Sequence, residues 1–340
     1  MKNRLVRNLA TLGLFLSLMF SLQILGLNNQ TSNAMINEDR SGQSVDGAAP
    51  QKTVKIRKNL AKNYISRNGE VKIDPGTTIV YIDKDAFNGN EHIKSIVFPE
   101  SVKKIVFDER CLTGSSIEKL ELPQHLEEII FKQSSFYKTN KIKSIVFPDS
   151  VKQIVFSAFS FSESSINTIV PSKNLDNLIL GVSCFQNTKS LQEFDLSQTK
   201  LKKNIDFPFQ CFCSSGITKL ALPPNLEYVT FGQASFSLTT NLTAPLNFTN
   251  VDNVNFGPIS FSESSVPEVN FVGSSSKILF GEKSFSESKI SKLIFPKNLK
   301  ELNFGKCSFD CTRDLKNPLN LQDPDVVVFG GASFSSSSVP

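Results

Sequence analysis

From residue 93 onward, apolar residues recur three and then two places apart, twice within each unit: Ile93-x-x-Ile96-x-Phe98, then Val102-x-x-Ile105-x-Phe107. Alternation at the end of each segment is the signature of a short strand with one buried face. The pattern begins again at Ile117, Ile142, Ile166, Leu191, Ile217, Leu242, Val266, Ile290 and Leu315, a period of about 24–25 residues. Residues 71–92, with Ile79 to Ile82 and Ala86-Phe87, form a partial first unit. A fixed period of this size means stacked supersecondary units. Pro99, Pro123, Pro148, Pro223 and Pro296 follow the first strand, where proline forces a turn without removing a ladder bond. Ser-rich stretches such as Ser162 to Ser165 close each unit at a corner. Two strands and their turns use nearly every residue, so no helix fits. In the units from Leu242 and Leu315, Pro245 and Pro318 fall within the first strand, which predicts interrupted pairing there.

One such coil buries almost nothing alone, so the units must stack. In register, equivalent side chains lie about 4.8 Å apart. Two aromatic columns result: Phe107, Phe131, Phe156, Phe207, Phe231, Phe256, Phe280, Phe304 and Phe329, with Leu180 in one rung, and Phe136, Phe161, Phe185, Phe212, Phe236, Phe261, Phe285, Phe309 and Phe334, with Leu112 at its start. Composition agrees, with 29 Phe and no Trp among 340 residues. The predicted fold is an all-β solenoid of about ten units, two short strands per unit, few or no helices.

The expected division of the chain is three-part. Residues 1–34 read as a signal peptide: Lys2, Arg4 and Arg7, an apolar run from Leu9 to Leu27, then small residues ending at Ala34. The run approaches spanning length, so an uncleaved anchor is the other reading, and the only membrane contact the sequence suggests. Residues 35–70 read as a polar linker and cap segment, basic between Lys52 and Arg67, and residues 71–340 as the solenoid. A net charge of +5 gives no nucleic-acid footprint. Two His and six Cys lack metal-ligand spacing, so neither a metal nor another cofactor is expected.

These units resemble the BspA-like leucine-rich repeats of secreted and surface microbial proteins. The match is carried by Ile142-x-x-Ile145-x-Phe147-Pro148-x-x-Val151-x-x-Ile154, then Ser160-Phe161 and Ser164-Ser165. The resemblance implies a right-handed coil, a secreted or cell-surface location, and recognition or adhesion without catalytic residues. Its glycine after the second strand is displaced here, as in Phe231-Gly232 and Phe280-Gly281.

The first strand's outward positions form the candidate binding face: Ser95, Val97, Lys119, Glu121, Ser144, Val146, Thr168, Val170, Glu193, Asp195, Lys219, Glu268, Asn270, Lys292 and Ile294. Solenoids use such extended faces for recognition, so a protein or glycan on a host or neighbouring cell is the expected partner. A structural array without a specific ligand is the first alternative. A carbohydrate-active β-helix is the second; it would need facing carboxylates, and Glu193 with Asp195 is the one pair on this face. Cys184 and Cys211 occupy the same column in adjacent units, and Cys307 and Cys311 flank one corner; each pair is either a disulfide or two thiols. Ser337 to Pro340 repeats Ser264 to Pro267, from which end-to-end self-association is expected.

Overall fold

The structure, a computed structural model, describes residues 51–339 apart from Ser274, Gln322 and Asp323. The segment expected to be a signal peptide and the first part of the expected linker lie outside the described residues. The described part is a succession of parallel strands, one turn of chain above the next, about eleven turns in all. No helix of the described residues is long and apolar enough to cross a membrane. Among the described residues a single 3-10 turn, Ala61–Tyr64, is the helical content.

The second strand of each unit is the more regular. Thr53–Ile56, Ile79–Ile82, Lys104–Phe107, Glu128–Phe131, Gln153–Phe156 and Asn177–Leu180 form one six-stranded parallel sheet. Asn204–Phe207, Tyr228–Phe231, Asn253–Phe256, Lys277–Phe280, Glu301–Phe304 and Val326–Phe329 form another. Pairing is in strict register, Phe107 opposite Phe131 and Phe131 opposite Phe156. The ladder starts at Thr53, so the stretch the sequence assigns to a cap contributes the first long strand.

First strands pair in three smaller sheets of three, four and three strands. One break falls between Lys219–Ala221 and Leu246–Thr249, where Pro245 takes the register position of Glu268 and has no N–H to give. No strand forms over 315–321, around Pro318. Both prolines therefore act as the pattern predicts.

A third segment links the long strand to the next unit, and hydrophobic spacing gave no hint of its order. It holds two left-handed residues four places apart, from Asp85 and Gly89 to Ala332 and Ser336. Between them the chain zigzags, and alternate N–H groups donate to the next turn: Arg110 to the Gln133 carbonyl at 3.0 Å, Leu112 to Ser135 at 2.9 Å, Gly114 to Tyr137 at 2.8 Å. The corner thus has its own inter-turn ladder, which satisfies backbone donors that a plain loop would leave unpaired.

The two predicted phenylalanine columns fill the interior. Phe107, Phe131 and Phe156 stack at 5.2 Å per step, nearly parallel. Phe236, Phe261, Phe285 and Phe309 stack at 5.0–5.2 Å, and rings of the two columns meet edge to face, as Phe131 and Phe161 do at 5.0 Å. Such pairs add about 0.5–1.5 kcal/mol each beyond burial. Beside them runs a column of small residues in which Ser135, Ser160, Ser235, Ser260, Ser284 and Ser308 are fully buried. Their hydroxyls have no partner within the described residues.

One turn departs from the pattern. Equivalent long strands begin 24–26 residues apart, except those at 177 and 204, which are 27 apart. There the long-strand ladder stops, dividing the two six-stranded sheets. Leu180 stands where phenylalanine is the rule, and Phe194, in a first strand that otherwise points a smaller aliphatic inward, fills the space. Its ring lies 5.8 Å from Phe185 and 5.1 Å from Phe212, so the aromatic core continues across the gap.

Candidate functional site

The outward positions read from the sequence do face outward, but in patches. Ser95 and Val97 pair with Lys119 and Glu121. Ser144, Thr168, Glu193 and Lys219 form the longest row, with Val146 beside Val170 and Asp195 beside Ala221. Glu268 and Asn270 face Lys292 and Ile294. The breaks in first-strand pairing separate these groups, so the single wall expected from the pattern is three patches.

The middle patch has a built shape. The 27-residue turn carries its surplus around Ser197 to Lys202, and this loop rises beside the strands Thr168–Val170 and Glu193–Asp195. A cleft of about 430 Å³ lies between them, lined by Thr168, Val170, Ser172, Lys173, Glu193, Asp195, Gln198 and Thr199 among others. Val146, 61% exposed, and Val170, 43% exposed, form an apolar pair on the same patch. Apolar groups held in water on a rigid strand gain by being covered.

Charge in the cleft is internally balanced. Lys219 Nζ lies 3.1 Å from Asp195 Oδ2 and 3.7 Å from Glu193 Oε2. Burial works to raise the Asp195 carboxyl, but the Ser197 hydroxyl and N–H and the Lys219 ammonium outweigh it and hold the group below the usual carboxylate range. The Ser197 Oγ and N lie 2.6 and 2.9 Å from the same Oδ1. Lys219 is in turn pushed upward, chiefly by Asp195. Both carboxylates thus sit beside one ammonium, and the Ser197 and Lys219 donors favour the ionised form of Asp195.

Elsewhere the polar groups are ordinary surface pairs. Lys292 meets Glu268 at 2.9 Å, and Lys119 meets Glu121 at 2.8 Å. A larger, shallow depression of about 750 Å³ near the first turns is lined by Arg57, Lys58, Asn59, Asp83, Lys84 and Asp108. Of its basic residues, Arg57 and Lys58 come from the segment between Lys52 and Arg67 and Lys84 from the next turn, and two aspartates oppose them. His92 and His125 are exposed, on different turns. Among the described residues no group of three His, Cys, Asp or Glu side chains is placed to hold a metal ion.

Cysteines divide by position. Cys184 and Cys211 are buried, with Sγ atoms 3.4 Å apart. Cys307 and Cys311 occupy the two left-handed corner positions of one turn and are partly exposed.

Sequence reasoning missed two features. The cleft depends on the extra residues near Ser197, and the long interval from Leu191 to Ile217 was its available signal. The other is an apolar column on the outer face of the first six-stranded sheet: Tyr81, Val106, Ile130 and Val155, the last three almost fully buried although they point away from the core. Ile105-Val106-Phe107 reads as a continuous apolar run, in which the outward member is not distinguished.

Three solved structures are similar: a leucine-rich repeat protein from Eubacterium ventriosum (13% identity, TM-score 0.35, covering 86% of this chain and 90% of that one), one from Bacteroides ovatus (16%, 0.39, 78% and 84%), and the pneumococcal vaccine antigen PcpA (16%, 0.34, 82% and 68%). No curated protein matches the sequence. The model of the BspA-type leucine-rich repeat region matches six copies, over residues 62–192, 130–256 and 230–339. These ranges cover the stacked turns nearly from end to end, and the chain belongs to the BspA-type leucine-rich repeat family.

Proposed function

We propose that this is an exported, non-enzymatic recognition protein that binds a protein or glycan of a host or neighbouring cell along its first-strand face. The observation that carries this reading is the middle patch, where the exposed pair Val146 and Val170 adjoins the cleft beside Glu193, Asp195 and Lys219. Such a patch combines apolar area with oriented charge, the pairing that gives a contact surface both affinity and register. Membership of the repeat family and the basic, apolar and small-residue order of residues 1–34 support export. Glu193 and Asp195 both pair with Lys219, a surface ion-pair arrangement that supports a binding role over hydrolysis.

The test is an array of extracellular proteins and glycans probed with the full chain and with a Val146→Asp, Val170→Asp double variant. Wild type should retain the same ligands reproducibly, and the variant should lose at least about tenfold in affinity, about 1.4 kcal/mol. Reproducible binding that ignores the double variant would move the site elsewhere. Absence of any retained ligand would leave the structural-array reading in its place.

A further inference from the structure

The 27-residue turn weakens the solenoid on one of its three sides. Between Asn177–Leu180 and Asn204–Phe207 there is no long-strand pairing. The other two sides continue: Thr168 pairs with Glu193 and Glu193 with Lys219. In the corner, Ser183 N–H donates to the Phe209 carbonyl at 2.9 Å, Phe185 to Cys211 at 2.9 Å, and Asn187 to Cys213 at 3.0 Å.

Cys184 and Cys211 lie in this corner ladder, at equivalent positions on the two turns that flank the gap. Backbone bonds on either side of Cys184 fix the two chains at ladder spacing, inside the range a disulfide spans. Their Sγ atoms are 3.4 Å apart and turned toward each other. Closing to the roughly 2.05 Å of a bond needs only a small side-chain rotation. The flanking turns carry Ser160 and Ser235 in this column, so two cysteines are adjacent only where the neighbouring sheet is interrupted.

We propose that Cys184 and Cys211 form a disulfide that staples the two six-stranded sheets together across the broken turn. The oxidant is a small-molecule or protein disulfide, acting by thiol–disulfide exchange. One cysteine thiolate attacks a sulfur of that disulfide and expels a thiolate; the second cysteine thiolate attacks the resulting mixed disulfide and expels the other. Two electrons pass from the cysteine pair to the oxidant, and the two thiol protons go to the released thiolates. Both cysteines are fully buried in the stacked form, so exchange occurs while this turn is still opening and closing during folding. Burial, and then Cys184 itself, pushes the Cys211 thiol well above its usual range once the turn has closed, which makes it a poor nucleophile there. A loop of this length gains stability from closure chiefly by restricting the unfolded chain.

Full-length chain refolded in a buffer of reduced and oxidised glutathione is digested without reduction and mapped by mass. A linked pair of peptides holding Cys184 and Cys211 is expected, with Cys111 and Cys213 recovered as alkylated thiols. Recovery of Cys184 and Cys211 both alkylated overturns the proposal. The C184S/C211S variant supplies the second measurement, and it places in both turns the serine that the column already accepts in Ser160 and Ser235. Reduction should lower the melting temperature of the oxidised wild type by roughly 5–10 °C, to that of the variant, which should itself ignore reductant. Equal melting of oxidised and reduced wild type removes the stapling role. Neither readout depends on the recognition reading above.

Discussion

The two six-stranded sheets share one interior and differ on their outer faces. In the first, the outward column reads Lys55, Tyr81, Val106, Ile130, Val155 and Ile179; in the second it reads Asp206, Thr230, Asn255, Leu279, Asn303 and Val328. The reason lies at the residue that follows the strand. In the first sheet Asp108, Lys132 and Ser157 stand there, and Lys132 pairs with Asp108 at 3.3 Å. On the other flank Lys104 pairs with Glu128 at 2.9 Å. Side chains on both flanks close over the apolar column, which is why Val106 keeps only 2% of its surface. In the second sheet Pro208 follows the first strand and Gly232, Gly257, Gly281, Gly305 and Gly330 follow the others, so that flank is bare over most of its length; Gly181 ends the first sheet in the same way. An outward apolar column stays covered only between two walls. Where glycine removes one, most outward residues are polar and the apolar ones lose cover: Ile179 beside Gly181 is 37% exposed and Val328 beside Gly330 is 45% exposed.

Glycine is there for a reason of its own. A Cβ on Gly257 would lie 2.6 Å from the Phe231 carbonyl oxygen, and one on Gly281 2.7 Å from that of Phe256. The N–H groups of these glycines reach the same carbonyls at 2.6 Å, against 2.8 Å for Lys132 and Ser157 in the first sheet. The second sheet stacks more tightly at this edge and gives up its outer covering.

The largest effects should leave the comparison intact. Phe131→Ala in the first sheet and Phe256→Ala in the second should each cost about 3–5 kcal/mol by chemical denaturation, because the inner columns are equivalent. A clear inequality would mean the interiors differ too. Gly257→Ala should cost about 1–3 kcal/mol, since a backbone atom rather than a flexible side chain blocks the added methyl. Ser157→Gly at the same place in the first sheet should cost only about 0.5–1 kcal/mol. If the glycine substitution proves as mild as its counterpart, the tight edge is not the cause of the difference.

Smaller still is the outer column itself. Ile130→Asp should destabilise by about 1–3 kcal/mol, by burying a charge beneath its flanking side chains, whereas Asn255→Asp should stay within about 0.5 kcal/mol. The smallest effect concerns acid. The Arg110 guanidinium, bonded to Asp85 at 3.0 and 3.1 Å, holds that carboxyl below its usual range against the opposing effect of burial. A depressed carboxylate contributes stability above its unfolded value and loses it as pH falls through the folded one. Carboxyl resonances followed through an acid titration should show Asp85 protonating below a typical aspartate, and Arg110→Ala should return it to that range. The equivalent corner positions of the second sheet, Gln210, Ala234, Ile259, Lys283, Cys307 and Ala332, carry no such pair.

The inner half of this architecture was legible because it repeats. Each Phe is redundant with its neighbours above and below, so the period, the strands and both aromatic columns follow from spacing alone. Pro245 and Pro318 marked their interruptions through the missing donor. The outer half was less so. Val106 and Ile105 are indistinguishable by hydrophobicity, and only the flanking residues decide which is covered by what. Apart from Gly89 and Gly114, the left-handed corners are held by Ser134, Phe159, Lys283 and other non-glycine residues, because the inter-turn hydrogen bonds, not residue preference, fix their backbone. The cleft arises from two or three extra residues, whose effect depends on where the neighbouring turns already lie.

A perfectly regular stack has a weakness: no turn can be told from the next, and a chain that skipped one during folding would meet phenylalanine with phenylalanine all the same. Leu180 and Phe194 change that. Their exchange of sizes, within the one turn of unusual length, matches only itself, so a slipped chain would leave a hole at one level and a collision at another. The least regular turn of this molecule is thus its registration mark.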